Sequence, residues 1–172
     1  SKKTHWTNSG GYELEFHRDE TKYNLNAKDS SQAFGEFLSN GNWEHVAVTF
    51  NNNIARMYLN GNDVTVDSLI DPVMASTDNL WIGLFSGADS SQECCAYDGW
   101  IDEVALYNKA LSQEQIQDIV INGVQVTEDI EAYYDFDQGN GSTASDLSGN
   151  QNHGTIHGAS WSSDFSDNDL SR

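Results

Sequence analysis

The residues best suited to chemistry are oxygen donors gathered in a glycine-bearing stretch near the end of the chain. Residues 136–154 read FDQGNGSTASDLSGNQNHG and contain Asp137, Asp146, Asn150 and Asn152. Asp102 stands apart, in the run Trp100-Ile101-Asp102-Glu103-Val104. Glycines let such a loop turn carboxylate and amide oxygens inward. An all-oxygen set suits calcium, which accepts about six to eight oxygens in flexible geometry, and does not suit zinc, which favours nitrogen and sulfur. The expectation is a calcium site with Asp102, Asp137, Asp146, Asn150 and Asn152 as its candidate ligands. A plainer use is open to the same residues: Asp146 and Asn150 can make Asx turns, and Asp102 can cap a nearby backbone group.

Other reactive side chains form no recognisable pattern. None of the histidines sits in a Ser/His/Asp or Cys/His arrangement. His45 alternates with the apolar positions around it and is expected at the surface. Cys94 and Cys95 are adjacent. They can close a vicinal disulfide, pair with another chain or stay as thiols, but cannot staple distant parts of the chain together.

Charge narrows the partners. The chain has 172 residues, with 27 Asp and Glu against 8 Lys and Arg, a formal net charge of -19. Nucleic acid is excluded as a partner, because binding it requires basic side chains to displace counterions. An anionic membrane surface is disfavoured for the same reason, and no apolar run is long enough to span a bilayer. The first residues, Ser1 to Trp6, do not read as a signal peptide, although a mature chain would have lost one.

The elements that must position these residues are mostly strands. Tyr12 to His17, Trp43 to Phe50 and Ile54 to Leu59 alternate apolar and polar positions. Asn51-Asn52-Asn53 and Asn60-Gly61 supply the turns between them, since Asn and Gly tolerate positive φ. Val64 to Ile70, the apolar run Leu80 to Phe85 and the alternating run Trp100 to Tyr107 predict further strands. Leu111 to Val120 predicts the one helix, with Ser112 and Gln115 as a capping box and Asn122-Gly123 as its stop. Val124 to Asp129 reads as an acidic connector, Ala132 to Asp137 as a strand and His153 to His157 as another, and the tail from Ser162 as loosely ordered. Many short strands with one helix imply an all-β, antiparallel β-sandwich or jelly roll.

Three runs carry a family resemblance: NWEHVAVTFNNNIARMYLNGNDV, LWIGLF and GWIDEVALYNKALSQEQIQDI. They resemble the second half of a laminin-G-like domain of the concanavalin A-like lectin/glucanase superfamily, which implies an antiparallel jelly-roll β-sandwich. YYDFDQGNGSTASDLSGNQNHGTIHGASW, from Tyr133, resembles the opening of such a domain. The order is reversed, and the middle stretch usual in the family is absent. The chain therefore divides into a closing part over residues 1–123, a connector over 124–130, and opening strands over 131–172. A tandem array, a circular permutation, or completion by a second chain would each explain that order. The array is favoured, with another copy or a complementary chain completing the sandwich.

The resemblance implies a structural calcium where Asp146 and Asn150 meet Asp102. It also brings glycosidases into view, since relatives include them. Hydrolysis needs two carboxyl groups about 5–9 Å apart on one face of a cleft. Glu13 with Glu15, Asp102 with Glu103, and Asp135 with Asp137 are the pairs at hand, but the strand motif of the glucanase branch is missing. Trp43 and Trp81 fall at positions that look like core. Trp100 falls where relatives carry a smaller or polar residue, and is the candidate ligand-binding ring, because a sugar stacks on an aromatic face. Trp6 and Trp161 flank polar segments. The reading that follows is a non-catalytic, calcium-stabilised, extracellular or cell-surface binding or adhesion module whose partner is a glycan or an extracellular protein. A carbohydrate-binding appendage of a polysaccharide-degrading enzyme and a fibre subunit assembling by strand exchange are the alternatives.

Overall fold

The computed structural model describes residues 2–3, 11–17, 22–27, 31–36, 42–68, 79–84, 96–125 and 127–162. Cys94, Cys95, Trp6 and the tail beyond residue 162 lie outside the described residues. Contacts group the chain into two compact units, Ser1–Gly99 and Trp100–Arg172.

Among the described residues, the regular elements of the first unit are all strands. In chain order they are β1 (Lys2–Lys3), β2 (Gly11–His17), β3 (Lys22–Ala27), β4 (Ser31–Glu36), β5 (Val46–Asn51), β6 (Ile54–Leu59), β7 (Asn62–Asp63) and β8 (Thr65–Asp67). One antiparallel sheet runs β1-β2-β3-β4-β8 and a second runs β5-β6-β7. The β5–β6 hairpin turns through Asn52 and Asn53, at φ 48° and 66°, and β6 reaches β7 through Asn60 and Gly61, at φ 50° and 78°. Both turns follow the expected chemistry, since two successive positive φ values match the right-handed twist of the flanking strands. Asn60 also accepts the His45 backbone N–H at 2.9 Å through its side chain, and its own N–H donates to the His45 carbonyl at 2.8 Å. Thr65 ties β8 to its neighbours, donating its N–H to Asp63 of β7 and accepting the Met57 N–H of β6 on its hydroxyl, both at 2.9 Å. Alternation along β6 buries Ala55 and Met57, and Tyr58 on the opposite face is buried as well.

Two expectations change in this unit. His45 is not a surface residue: its Nδ1 is buried without a hydrogen-bond partner, and burial lowers the pKa of the ring below its ordinary value. The alternating pattern was blind to the pair of backbone bonds with Asn60 that fixes this residue just ahead of β5. The run from Leu80 is also not a regular strand as far as Leu84. Gly83 has φ 78°, which interrupts the extended backbone, and only an isolated bridge joins Leu84 to Ala96.

The second unit holds β9 (Val104–Tyr107), α1 (Gln113–Asn122), β10 (Ile130–Tyr134), β11 (Thr143–Ala144) and β12 (Gly154–Thr155). The helix begins as its sequence predicts. Ser112 accepts the Gln115 N–H, and the Gln115 side chain accepts the Ser112 N–H, so the box is closed in both directions. Gly123, at φ 77°, ends it by donating its N–H to the Ile119 carbonyl at 2.8 Å. Ser112→Ala is expected to lower stability by about 1 kcal/mol, the usual worth of a side-chain N-cap, and urea denaturation checks it. Ile116 is the buried residue of α1.

β9 and β10 pair antiparallel, Tyr133 opposite Ala105 and Tyr134 opposite Val104, with a bulge between Ile130 and Ala132. Strands that the resemblance assigns to opposite ends of a domain thus pair within one chain. β11 pairs with β12. The core of this unit is Ala132, Tyr134 and Ala144, with Val104, Leu106, Phe136 and Ile156 packed on it. Tyr134 stacks on Phe136 and Phe136 meets Trp161 at a tilt, with centroids 6.0 and 6.5 Å apart. β10 ends earlier than expected because Phe136 takes φ 53°, which turns the chain out of the ladder.

Candidate functional site

Three of the candidate ligands come together. Asp146 follows β11, and the turn after it brings Asn150 and Asn152 back alongside β10. Gly149 at φ 93° and Gln151 at φ 61° make that path possible. Asp146 is 6 % exposed, the one buried polar residue among those described. Its Oδ1 accepts the N–H groups of Tyr133 and Ser148, each at 2.9 Å. Its Oδ2 accepts the Ser148 hydroxyl and the Asn152 N–H, each at 2.8 Å. Burial alone would push this carboxyl up, but the hydrogen bonds from Tyr133, Ser148 and Asn152 outweigh it and bring its pKa down to about 2.

The two asparagines point donors at the strand. Asn150 Nδ2 donates to the carbonyls of Ile130 at 2.9 Å and Glu131 at 3.2 Å, and Asn152 Nδ2 donates to Glu131 at 2.8 Å. The Leu147 N–H donates to the Tyr133 carbonyl at 2.8 Å. Two further bonds hold the loop's far side: Tyr134 donates its hydroxyl to the Asn152 carbonyl at 2.5 Å, and the Asp146 N–H donates to His153 Nδ1 at 3.0 Å.

A carboxylate has about four acceptor positions, two on each oxygen, and all four of Asp146 are taken by donors from the chain. As arranged, Asp146, Asn150 and Asn152 do not fit a calcium ion, which would have to displace those bonds to reach the carboxylate. Among the described residues, no three of His, Cys, Asp and Glu come together as a metal-binding group.

Asp102 and Asp137 take other positions. Asp102 precedes β9 and is not on a strand, because Glu103 adopts φ 52° and regular extension begins only at Val104. Its Oδ1 accepts the Glu103 N–H at 3.0 Å, the local capping role open to it from the sequence. Glu103 in turn accepts the Tyr133 hydroxyl at 2.8 Å. Asp137 is exposed in the turn after β10, where its N–H donates to Asp135 at 3.1 Å. Gln138 donates to the same Asp135 oxygen at 3.1 Å.

The sequence reading missed Ser148, Tyr133, Tyr134 and His153 as members of this cluster. Ser148 had a signal, since Asp-x-Ser spacing is that of an Asx turn. The others had none: Tyr133 and Tyr134 come from a strand distant in sequence, and His153 enters by accepting the Asp146 backbone N–H on its ring.

Among the aromatic candidates, Trp43 and Trp81 are half-buried. Trp161 is half-buried too, donating Nε1–H to the Gly141 carbonyl at 2.8 Å while its ring meets Phe136. Trp100 is 59 % exposed, and Ile101 beside it 37 %.

The crystal structure of an S-layer domain-containing protein (residues 221–444) from Clostridium thermocellum is similar, with 24% sequence identity, a TM-score of 0.40, and coverage of 65% of this chain and 64% of that one. The chain thus spans less than two thirds of that structure's length. No curated protein matches it. The laminin-G-like family model, described as the concanavalin A-like lectin/glucanases superfamily, matches residues 2–117, ending within α1. With well over half of its residues so matched, and with antiparallel sheets and a single helix among the described residues, the chain belongs to the laminin-G-like family of the concanavalin A-like superfamily, whose fold is a β-sandwich.

Proposed function

We propose that this chain is a non-catalytic binding module of jelly-roll topology, part of a secreted or cell-surface protein, and that its ligand is a glycan or an extracellular protein. The observation that carries the reading is how the candidate acids are used. Asp146, Asp102, Glu103 and Asp135 each accept hydrogen bonds from the chain's own backbone or side chains. Such groups are positioned to hold the structure. A hydrolytic pair must instead keep one carboxyl ready to give a proton and the other free to face the substrate. The acid surplus supports solubility in salty surroundings.

Trp100 is the side chain best placed to meet a ligand, being a large ring with 59 % of its surface exposed. Burying such a ring under a sugar or a peptide is worth enough to dominate a small interface. Glycan-array and pull-down binding with the wild-type chain identify the ligand class. Trp100→Ala is then expected to weaken that binding by about 2 kcal/mol, roughly 30-fold, with the melting temperature unchanged. Hydrolysis of a defined polysaccharide by this chain would overturn the non-catalytic reading.

A further inference from the structure

We propose that residues 146–152 are an ion-free clasp that closes the outer edge of β10, so that this strand neither needs calcium to stay in place nor accepts another strand. β10 pairs with β9 through one edge. The opposite edge presents the carbonyls of Ile130 and Glu131 and both backbone groups of Tyr133. A bare edge of this kind is a template for pairing with another chain.

Here each of those groups has a partner from the loop. Asn150 takes Ile130, and Asn150 and Asn152 take Glu131. Asp146 takes the Tyr133 N–H, and the Leu147 N–H takes the Tyr133 carbonyl. Side chains do most of what a neighbouring strand would do with its backbone, and they do it without period-two register. The Asp146 carboxylate is the centre of the clasp because it joins the strand to the loop's own turns: one oxygen bridges Tyr133 and Ser148, the other Ser148 and Asn152. Four donors from the chain occupy the places a cation would need, so the charge is satisfied internally. Binding a cation there would break the bond that holds the loop to Tyr133, which sets the ion against the clasp.

The test uses the full chain. Thermal melting is followed in millimolar calcium chloride and in EDTA, with amide hydrogen exchange at Tyr133 and Asn152 in both. The expected result is one melting temperature and the same protection in either condition. A calcium-dependent rise in melting temperature that Asp146→Asn abolishes, or faster exchange at Tyr133 in EDTA, would overturn the ion-free clasp. The edge is tested with Asn150→Ala combined with Asn152→Ala, which uncovers Ile130 and Glu131 and leaves Asp146 in place. Sedimentation velocity is expected to show stronger concentration-dependent association than in the wild-type chain. A variant that is folded by circular dichroism and associates no more than wild type would overturn the closed edge. If the double variant does not fold, Asn152→Ala alone serves with the same readout.

Discussion

Asp146→Ala is expected to destabilise the chain by about 3 kcal/mol or more, because it strips the charged acceptor from three backbone N–H groups and a hydroxyl at once. Each bond to a charged group is worth about 1.5–3 kcal/mol, and a buried donor left without an acceptor adds its own desolvation cost. The losses share one centre and do not add in full. Asp146→Asn keeps one oxygen and places an amide where the second stood, opposite donors, so it is expected to recover only part of the loss. Urea denaturation with an unchanged slope and a lower midpoint is the signature of the effect.

The same carboxyl sets an acid limb to stability. Its pKa is about 2 in the folded chain against an ordinary value of 3.8. The unfolded chain therefore takes up the proton first as pH falls, and folding loses the difference. That contribution, about 2 kcal/mol, is complete above the ordinary value and is lost as pH drops through it towards the folded value. Asp146→Asn removes this limb. His45 acts in a different window: burial lowers its pKa below 6.5, so the unfolded chain again binds the proton first, and stability begins to fall once pH goes below that ordinary value. Denaturation midpoints measured across the acid range are expected to decline in two stages, the first near neutrality and the second in strong acid.

Met57→Ala is the second large effect, expected to cost about 2–5 kcal/mol. Met57 is 1 % exposed in β6, and its backbone is bonded to Thr65 and Val64 on β8 and the turn before it. Those bonds hold the strands at their spacing, so the surroundings cannot collapse into the space the side chain leaves. The cost then includes the cavity as well as the lost transfer free energy. Met57→Leu, nearly equal in volume, is expected to cost under about 1.5 kcal/mol. Differential scanning calorimetry of the two variants separates the effects of volume and of residue type.

Local rules carried much of the fold into the sequence. The asparagine turns, the capping box of Ser112 and Gln115 and the Gly123 stop are decided within a few residues, and each was legible from residue type and spacing. Long ordered runs from Trp43 and from Trp100 were enough to name the family. Alternation failed where a single backbone angle intervened: Gly83 interrupts the run from Leu80, Glu103 delays β9 and Phe136 shortens β10. Period-two patterns report which face is apolar, and they are silent about one residue entering the left-handed region.

The candidate site divides along the same line. The sequence by itself determined that Asp146, Asn150 and Asn152 share a turning, glycine-bearing loop rich in oxygen and amide groups, and that its chemistry is polar and non-redox. Whether those groups face an ion or a strand depends on what lies against them. Tertiary structure decided that by laying the loop along β10, whose edge offers carbonyls to amide donors and N–H groups to a carboxylate. An asparagine carries both a donor and an acceptor on one carbon, and only the neighbour determines which end is used.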